Sequence, residues 1–416
     1  MSPDPTSTAD PGQQTAPQKL RVLFIGEGAT LAHAARPLAL AAALPRGRFE
    51  TTIATPERYR EWAPPRAQWL PLDAQTPEAF AERLKRGRPV FNLSRLQAYF
   101  DEDLKLIERA KPHVVVGDLR LSLAASARAA GVPYVSISNA YWSPDRPLRP
   151  IRPVVDRLHG WPAPAANLIF HATAAMTLGW HARPVDELLT SHGLKGVGRD
   201  LRRAFTEADV TLYADIPALF PDVPETLHRR FLGPVVWEPP VAPPEWWERL
   251  PEDKPIAYVT LGSSGEIQPL GQIAGWLTAM GYAVVLATAG RAEVHGDGET
   301  VFVADYVPGM AACERADLVV CNGGSPTATQ ALLKGRPVLG IASNIDQMLN
   351  IRAVQARGAG LMLRADSVSR RRFEAAVNRL SGFRAMKAAA VFAAGAEPPE
   401  PARVLAAVIQ ELAAGA

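Results

Sequence analysis

The chain reads as two α/β units in succession, each a doubly wound parallel sheet with helices on both faces. Three features carry this expectation. Short β-branched runs alternate with helical segments from Arg21 onward: RVLFIG, LAHAARPLALAAALP, FETTIAT, then HVVVGD, LSLAASARAAG and YVSIS. The rhythm restarts near Ile256 with IAYVTLGS, a helix from about Leu270, and the strands AVVLAT, VFVAD, DLVVCN and PVLGIA. Between them lies GPVVWEPPVAPPEWWERLPEDKP, whose prolines preclude a regular element and make a stiff connector. Alternation of this kind implies parallel strands, and 416 residues suit two cores better than one.

In chain order, residues 1–19 are rich in Pro, Ser and Thr without an apolar segment, which predicts a disordered tail rather than a signal peptide. Residues 20–235 form the first unit. Within it, Tyr141 to Arg199 lacks a clean strand period and reads as inserted helices and loops. Residues 236–255 are the connector, 256–400 the second unit, and 401–416 a final helix that can cross back to the first.

Composition excludes several classes. Hydrophobic residues at 47% and charged residues at 21% describe an ordinary globular chain. A net charge of +3 with one short basic run, Arg370 to Arg372, gives no nucleic-acid footprint. Two cysteines, Cys313 and Cys321, imply no disulfide framework and a reducing interior. No apolar stretch is long enough to span a bilayer. The expected location is the cytoplasm, with peripheral contact to the inner membrane left open.

In open parallel sheets ligands bind beyond the carboxyl ends of strands, and the motifs lie there. After DLVVC comes Asn322-Gly323-Gly324-Ser325-Pro326-Thr327, with a helix expected from about Thr327. Its glycines admit a phosphate to the backbone, and the helix start favours an anion; the bland alternative is a plain strand-to-helix turn. Asp346 and Gln347 follow PVLGIA and suit sugar hydroxyls, against an N-cap as the alternative. Gly262, Ser263 and Ser264 follow the second unit's first strand, and Val307 in DYVPG can present itself to a flat base. In the first unit His33 starts a helix after RVLFIG, and Asp118 ends HVVVGD. A carboxylate holding one imidazole nitrogen leaves the other as a base; alone, His33 would be structural and Asp118 an N-cap. Asn139, Tyr141 and Trp142 follow YVSIS and are expected to face the cleft, with Phe170, Met176 and Trp180 adding apolar surface for an acceptor or simply core.

At this point the chain resembles the GT-B glycosyltransferases of family 1, over about Leu20 to Leu412. GEGATLAH matches that family's glycine-rich loop with His, and Asp118 its Asp partner. Its donor signature appears as Asn322-Gly-Gly-Ser-Pro-Thr327, Gln330-Ala-Leu, Gly335-Arg-Pro337 and Asp346-Gln347. TLAHAARPLALA, VVVGDLRLSLAASARAAGVPYVSISNAYWSP, TLYADIP, FLGPVVW and VVCNGGSPT look most like bacterial rhamnosyltransferases of phenolic glycolipids and p-hydroxybenzoate derivatives. The resemblance implies an inverting, metal-independent transfer with no cofactor beyond the nucleotide-sugar co-substrate. His33 would be the base and Asp118 its orienter; Ser263, Ser264, Asn322, Gly323, Gly324, Ser325 and Thr327 would hold the diphosphate. Asn322 stands where the family commonly has His, removing a charge-assisted contact while keeping an amide donor. Gln330 stands where Glu commonly grips the ribose, which leans toward dTDP-rhamnose over UDP-glucose. The acceptor would be phenolic or lipid-like. A sugar-nucleotide 2-epimerase and a non-catalytic auxiliary protein are the rival readings.

Overall fold

The computed structural model describes residues 19–147, 150–158, 160–262, 270–395 and 400–415. The expected tail therefore lies almost wholly outside the described residues, as do Ser263 and Ser264.

The first sheet contains β1 (Leu20–Gly26), β2 (Phe49–Thr55), β3 (Gln68–Pro71), β4 (Val114–Asp118), β5 (Tyr134–Ser138), β6 (Val210–Tyr213) and β7 (Arg229–Phe231). Its strands lie in the order β3-β2-β1-β4-β5-β6-β7, all parallel. Around it are α1 (Leu31–Ala43), α2 (Pro77–Lys85), α3 (Leu93–Ala110), α4 (Leu123–Ala129), α5 (Ala163–Ser191) and α6 (Leu201–Ala204). The second sheet contains β8 (Ile256–Thr260), β9 (Ala283–Ala287), β10 (Val301–Ala304), β11 (Leu318–Cys321), β12 (Val338–Ala342) and β13 (Gly360–Arg364). Its order is β10-β9-β8-β11-β12-β13, again parallel throughout. Its helices are α7 (Leu270–Ala279), α8 (Gly309–Arg315), α9 (Ser325–Leu333), α10 (Ile345–Ala356), α11 (Arg370–Leu380) and α12 (Phe383–Ala394).

Both sheets reverse their strand order at the first strand, between β1 and β4 and between β8 and β11. The loops after these four strands therefore converge on the two switch points, where Asp118 ends β4, His33 stands in the first turn of α1, and Gly262 and Asn322 follow β8 and β11. Apolar runs such as VVVGD and LVVC are buried along their whole length, as strands covered on both faces must be.

Three details differ from the sequence reading. The helix expected near Thr327 begins two residues earlier, at Ser325, because Pro326 fits the first turn, where no intrahelical donor is lost. The connector is not wholly irregular: Trp247–Arg249 forms a 3₁₀ turn, and Trp247 is buried. The insertion resolves into one 29-residue helix, α5, preceded by loops. The last helix, α13 (Pro401–Ala414), returns to the first sheet: its Leu405, Val408 and Ile409 pack with Val22, Phe24 and Leu38. No helix among the described residues is long and apolar enough to cross a membrane.

Candidate active site

A cavity of about 1240 Å³ lies between the two units, lined by His33 and Asp118 on one side and by Asn322, Gly324 and Asp346 on the other. One small-molecule pocket spans roughly 300–1,000 Å³. This cleft exceeds that range, enough for two substrates together.

On the first-unit wall, parallel register pairs Gly26 with Asp118, bringing the end of β4 beside the turn into α1. A side chain on Gly26 would meet the His33 carbonyl at 2.7 Å, so glycine lets α1 start against the strand end. His33 Nδ1 lies 2.7 Å from Asp118 Oδ1. A carboxylate at that distance accepts the Nδ1 proton, which leaves Nε2 as the nitrogen free to take one. Asp118 is fully buried and His33 is one-fifth exposed. Asp118 does not cap α4, whose N-cap is Ser122.

Arg36, one turn on from His33, is the member that sequence reasoning missed. Its Nη2 donates to Asp118 Oδ1 at 2.9 Å, and its Nε lies 2.6 Å from Oδ2. Burial opposes the guanidinium charge, but the adjacent Asp118 outweighs it, and the pKa of Arg36 is raised. Arg36 thus balances a carboxylate that would otherwise be buried with only a neutral imidazole. Its Nη1 donates to Asn139 Oδ1 at 3.0 Å, and Asn139 Nδ2 donates to Asp215 Oδ1 at 2.9 Å. Asn139 Nδ2 also lies 3.3 Å from Ser325 Oγ, at the start of α9 in the second unit. An unbroken polar chain therefore runs from His33 to the second unit's glycine turn. Asp215, likewise unforeseen, is buried and has its carboxyl pushed up to about 6 by that burial.

Asn139 lines the cleft, as expected, with both ends of its amide engaged. Tyr141 and Trp142 line it as well. Both are buried, and their O–H and Nε1–H each donate to Asp346 Oδ1 at 2.9 Å. Burial, followed by the nearby Asp346 and Asp215, pushes the Tyr141 hydroxyl well above its ordinary value, so it donates as a neutral group. These aromatic side chains fix the carboxylate expected at a donor sugar.

On the second-unit wall, Gly323 has φ +80 and approaches Ile351 so closely that a Cβ would sit 3.2 Å from it. Glycine is required there on both counts. The N-cap of α9 is Gly324, no side chain caps the helix, and the first-turn amides of Ser325 and Thr327 are suited to an anion. Asn322 lines the cleft; its Nδ2 donates to Leu261 O at 3.0 Å and its Oδ1 accepts from Gly324 N at 2.9 Å. Its amide thereby holds the glycine turn in shape. Gln347 lines the cleft too. Its Oε1 accepts from Ser343 N at 2.9 Å, and with Asn344 it forms the capping box of α10. Asn344, not Asp346, is that helix's N-cap, which frees Asp346 for the cleft.

Val307 and Gln330 line the same cavity near Trp237, and Gln330 Nε2 lies 3.4 Å from Trp237 O. Gly262 lies at the rim, and its carbonyl accepts from Arg291 Nη1 at 2.9 Å. Arg291, and Arg58 from the facing unit, line the cleft and were not anticipated. Phe170 is buried along the cavity, and Trp180 stands half-exposed at its mouth. Among the described residues no group of three or more His, Cys, Asp or Glu is placed to hold a metal ion.

Known proteins resemble this chain in sequence and in fold. Residues 277–412 match the family model of the erythromycin biosynthesis protein CIII-like C-terminal domain. The spinosyn rhamnosyltransferase SpnG superposes with a TM-score of 0.66 at 20% identity, covering 94% of this chain and 100% of that one. Two parallel-sheet units facing a cleft thus define a GT-B glycosyltransferase fold. The chain is 40% identical over 390 residues to a PGL/p-HBAD biosynthesis glycosyltransferase of Mycobacterium tuberculosis (strain ATCC 25177 / H37Ra), covering 91% of each. It is 40% identical over 379 residues to a PGL/p-HBAD biosynthesis rhamnosyltransferase of Mycobacterium bovis (strain BCG / Pasteur 1173P2), covering 89% of this chain and 83% of that one. The chain belongs to this family of PGL/p-HBAD biosynthesis glycosyltransferases.

Proposed function

We propose that the protein transfers a 6-deoxyhexose, rhamnose from dTDP-rhamnose as the first choice, to a hydroxyl of a phenolic or lipid-like acceptor, with inversion and without a metal ion. The observation that carries this reading is the His33–Asp118 contact at 2.7 Å, on the cleft wall facing the uncapped start of α9. His33 Nε2 takes the proton from the acceptor hydroxyl as its oxygen attacks the anomeric carbon. The bond from that carbon to the diphosphate oxygen breaks, and the electron pair leaves with the nucleoside diphosphate. One displacement inverts the configuration. Asp118 steadies the imidazolium that forms, while the amides of Ser325 and Thr327, with Arg291 at the rim, offset the leaving charge. Asp346, fixed by Tyr141 and Trp142, holds a sugar hydroxyl.

The donor preference rests on Gln330 in place of a ribose-gripping carboxylate and on the name of the M. bovis relative. UDP-glucose is the competing donor. An auxiliary, non-catalytic role fits poorly with a base, its partner carboxylate and a two-substrate cavity all present together.

The test is His33→Ala assayed with dTDP-rhamnose and a soluble p-hydroxybenzoate ester. A fall in kcat of about 10²–10⁴ with nucleotide affinity unchanged is expected. Undiminished turnover overturns the base assignment. Parallel titration with dTDP and UDP decides the donor, and unaltered turnover in EDTA is the expected result for a metal-independent transfer.

A further inference from the structure

Helix α5 departs from the usual pattern of a surface helix. From Trp161 to Trp180 the sequence WPAPAANLIFHATAAMTLGW has no acidic residue, lysine or arginine. Ala166, Phe170, Ala174 and Leu178 face inward and are buried. The opposite face is also apolar: Leu168 and Met176 are each 72% exposed, and Ile169 and Trp180 are exposed beside them. With Ala172 and Ala175 they form one stripe, about 18 Å long from Leu168 to Trp180 at 1.5 Å per residue. A helix apolar all round is normally covered on all sides.

Two further observations point to what covers it. Trp180 shares a groove with Arg83, Arg88 and Arg183, placing a basic edge along the stripe. Glu82 pairs with Arg86 and Glu187 with Arg183, while among the described residues no carboxylate pairs with Arg83, Lys85 or Arg88. The stripe is also continuous with the cleft, whose wall Ile169, Met176 and Trp180 share with Leu84 and Gly87.

We propose that the outer face of α5, with the basic Arg83–Arg88 segment, seats on an anionic lipid surface and opens the acceptor end of the cleft onto it. The helix lies in the interfacial plane without spanning it: the apolar stripe enters the acyl boundary, Trp161 and Trp180 sit at headgroup level, and the cations face lipid phosphates. A second copy of the chain is a poorer occupant, because a two-fold contact would bring the same cations face to face. Delivery of acceptor through this face rests on the reading of a lipid-like acceptor; the binding itself does not.

The experiment is co-sedimentation of the full chain with phosphatidylcholine vesicles, with and without phosphatidylglycerol, in the absence of substrates. Binding to the anionic vesicles is expected. It should weaken about tenfold or more in Leu168→Glu/Ala172→Glu and in Lys85→Glu/Arg88→Glu. Both variants should keep the wild-type Tm and turnover on a short soluble phenol. Binding no better than to phosphatidylcholine alone overturns the proposal, as does binding that survives both variants. A dimer that Leu168→Glu/Ala172→Glu converts to monomer assigns the face to a second copy and overturns it too. Because no substrate is present, failure of the transfer reading leaves the vesicle result unaffected.

Discussion

The first unit buries two arginines among carboxylates at neighbouring strand ends, and the two clusters have different fates. Arg120 is wholly enclosed: it donates to Asp103 at 2.8 Å and Glu102 at 2.7 Å, contacts Glu27 at 3.3 Å, and lies 3.6 Å over the Tyr99 ring. Burial raises the pKa of both Glu27 and Asp103, against the pull of Arg120. Arg36 is nearly as buried, but its carboxylate is shared with a histidine on the cleft. The clusters are chemically alike. One is saturated and holds the turn after β1 in place, whereas the other leaves a single imidazole nitrogen uncommitted beside a cavity. Buried charge alone does not mark a catalytic centre; an uncommitted lone pair at an accessible wall does.

Four substitutions would break or sharpen that contrast. Arg120→Leu strands Glu27 and Asp103 without their cation and should cost about 3–5 kcal/mol of stability, read by urea denaturation. Arg36→Met should act mainly on chemistry, because His33 still contacts Asp118 but loses its fixed position. We expect kcat to fall on the order of 10²-fold with nucleotide Kd unchanged, and a loss explained wholly by unfolding would erase the distinction between the clusters. Arg291→Gln, across the cleft, should raise the Kd for dTDP about threefold to tenfold by calorimetry, leaving kcat nearly intact. Asp215→Asn acts on the pH dependence of stability instead. Asp215 titrates near 6 when folded against an ordinary 3.8, so the folded state binds its proton more tightly. Its contribution is fully present below pH 3.8 and is lost as pH rises through 6. The Asn variant should therefore lose less stability than wild type between pH 4 and pH 7 in matched denaturation curves.

What the sequence revealed about the site tracks how local each signal is. Strands, glycine turns and polar residues at strand ends are encoded within a few residues, so the placement of His33, Asp118 and Asn322 to Thr327 in the fold could be read directly. Arg36 was also legible in principle, as the one arginine in the apolar helix LAHAARPLALAAA. Asp215 carried the signal used for Asp118, a carboxylate just after a strand. Gln347 stands three residues after Asn344, the spacing of a capping box, and that role was legible in the sequence too. The bonds of Tyr141 and Trp142 to Asp346 span more than 200 residues of chain. No local pattern records such a contact, because it exists only once the two sheets face each other.

The return of α13 to the first sheet bears on how this enzyme can be cut and recombined. Leu405, Val408 and Ile409 complete the hydrophobic layer over β1 and β4, so the amino-terminal half borrows part of its core from the far end of the chain. A chimera joined once, in the proline-rich connector, would graft a donor half that brings its own final helix to an unfamiliar sheet. Exchange of sugar specificity between relatives therefore calls for two junctions, the second before Pro401, so that the closing helix stays with the sheet it evolved to cover.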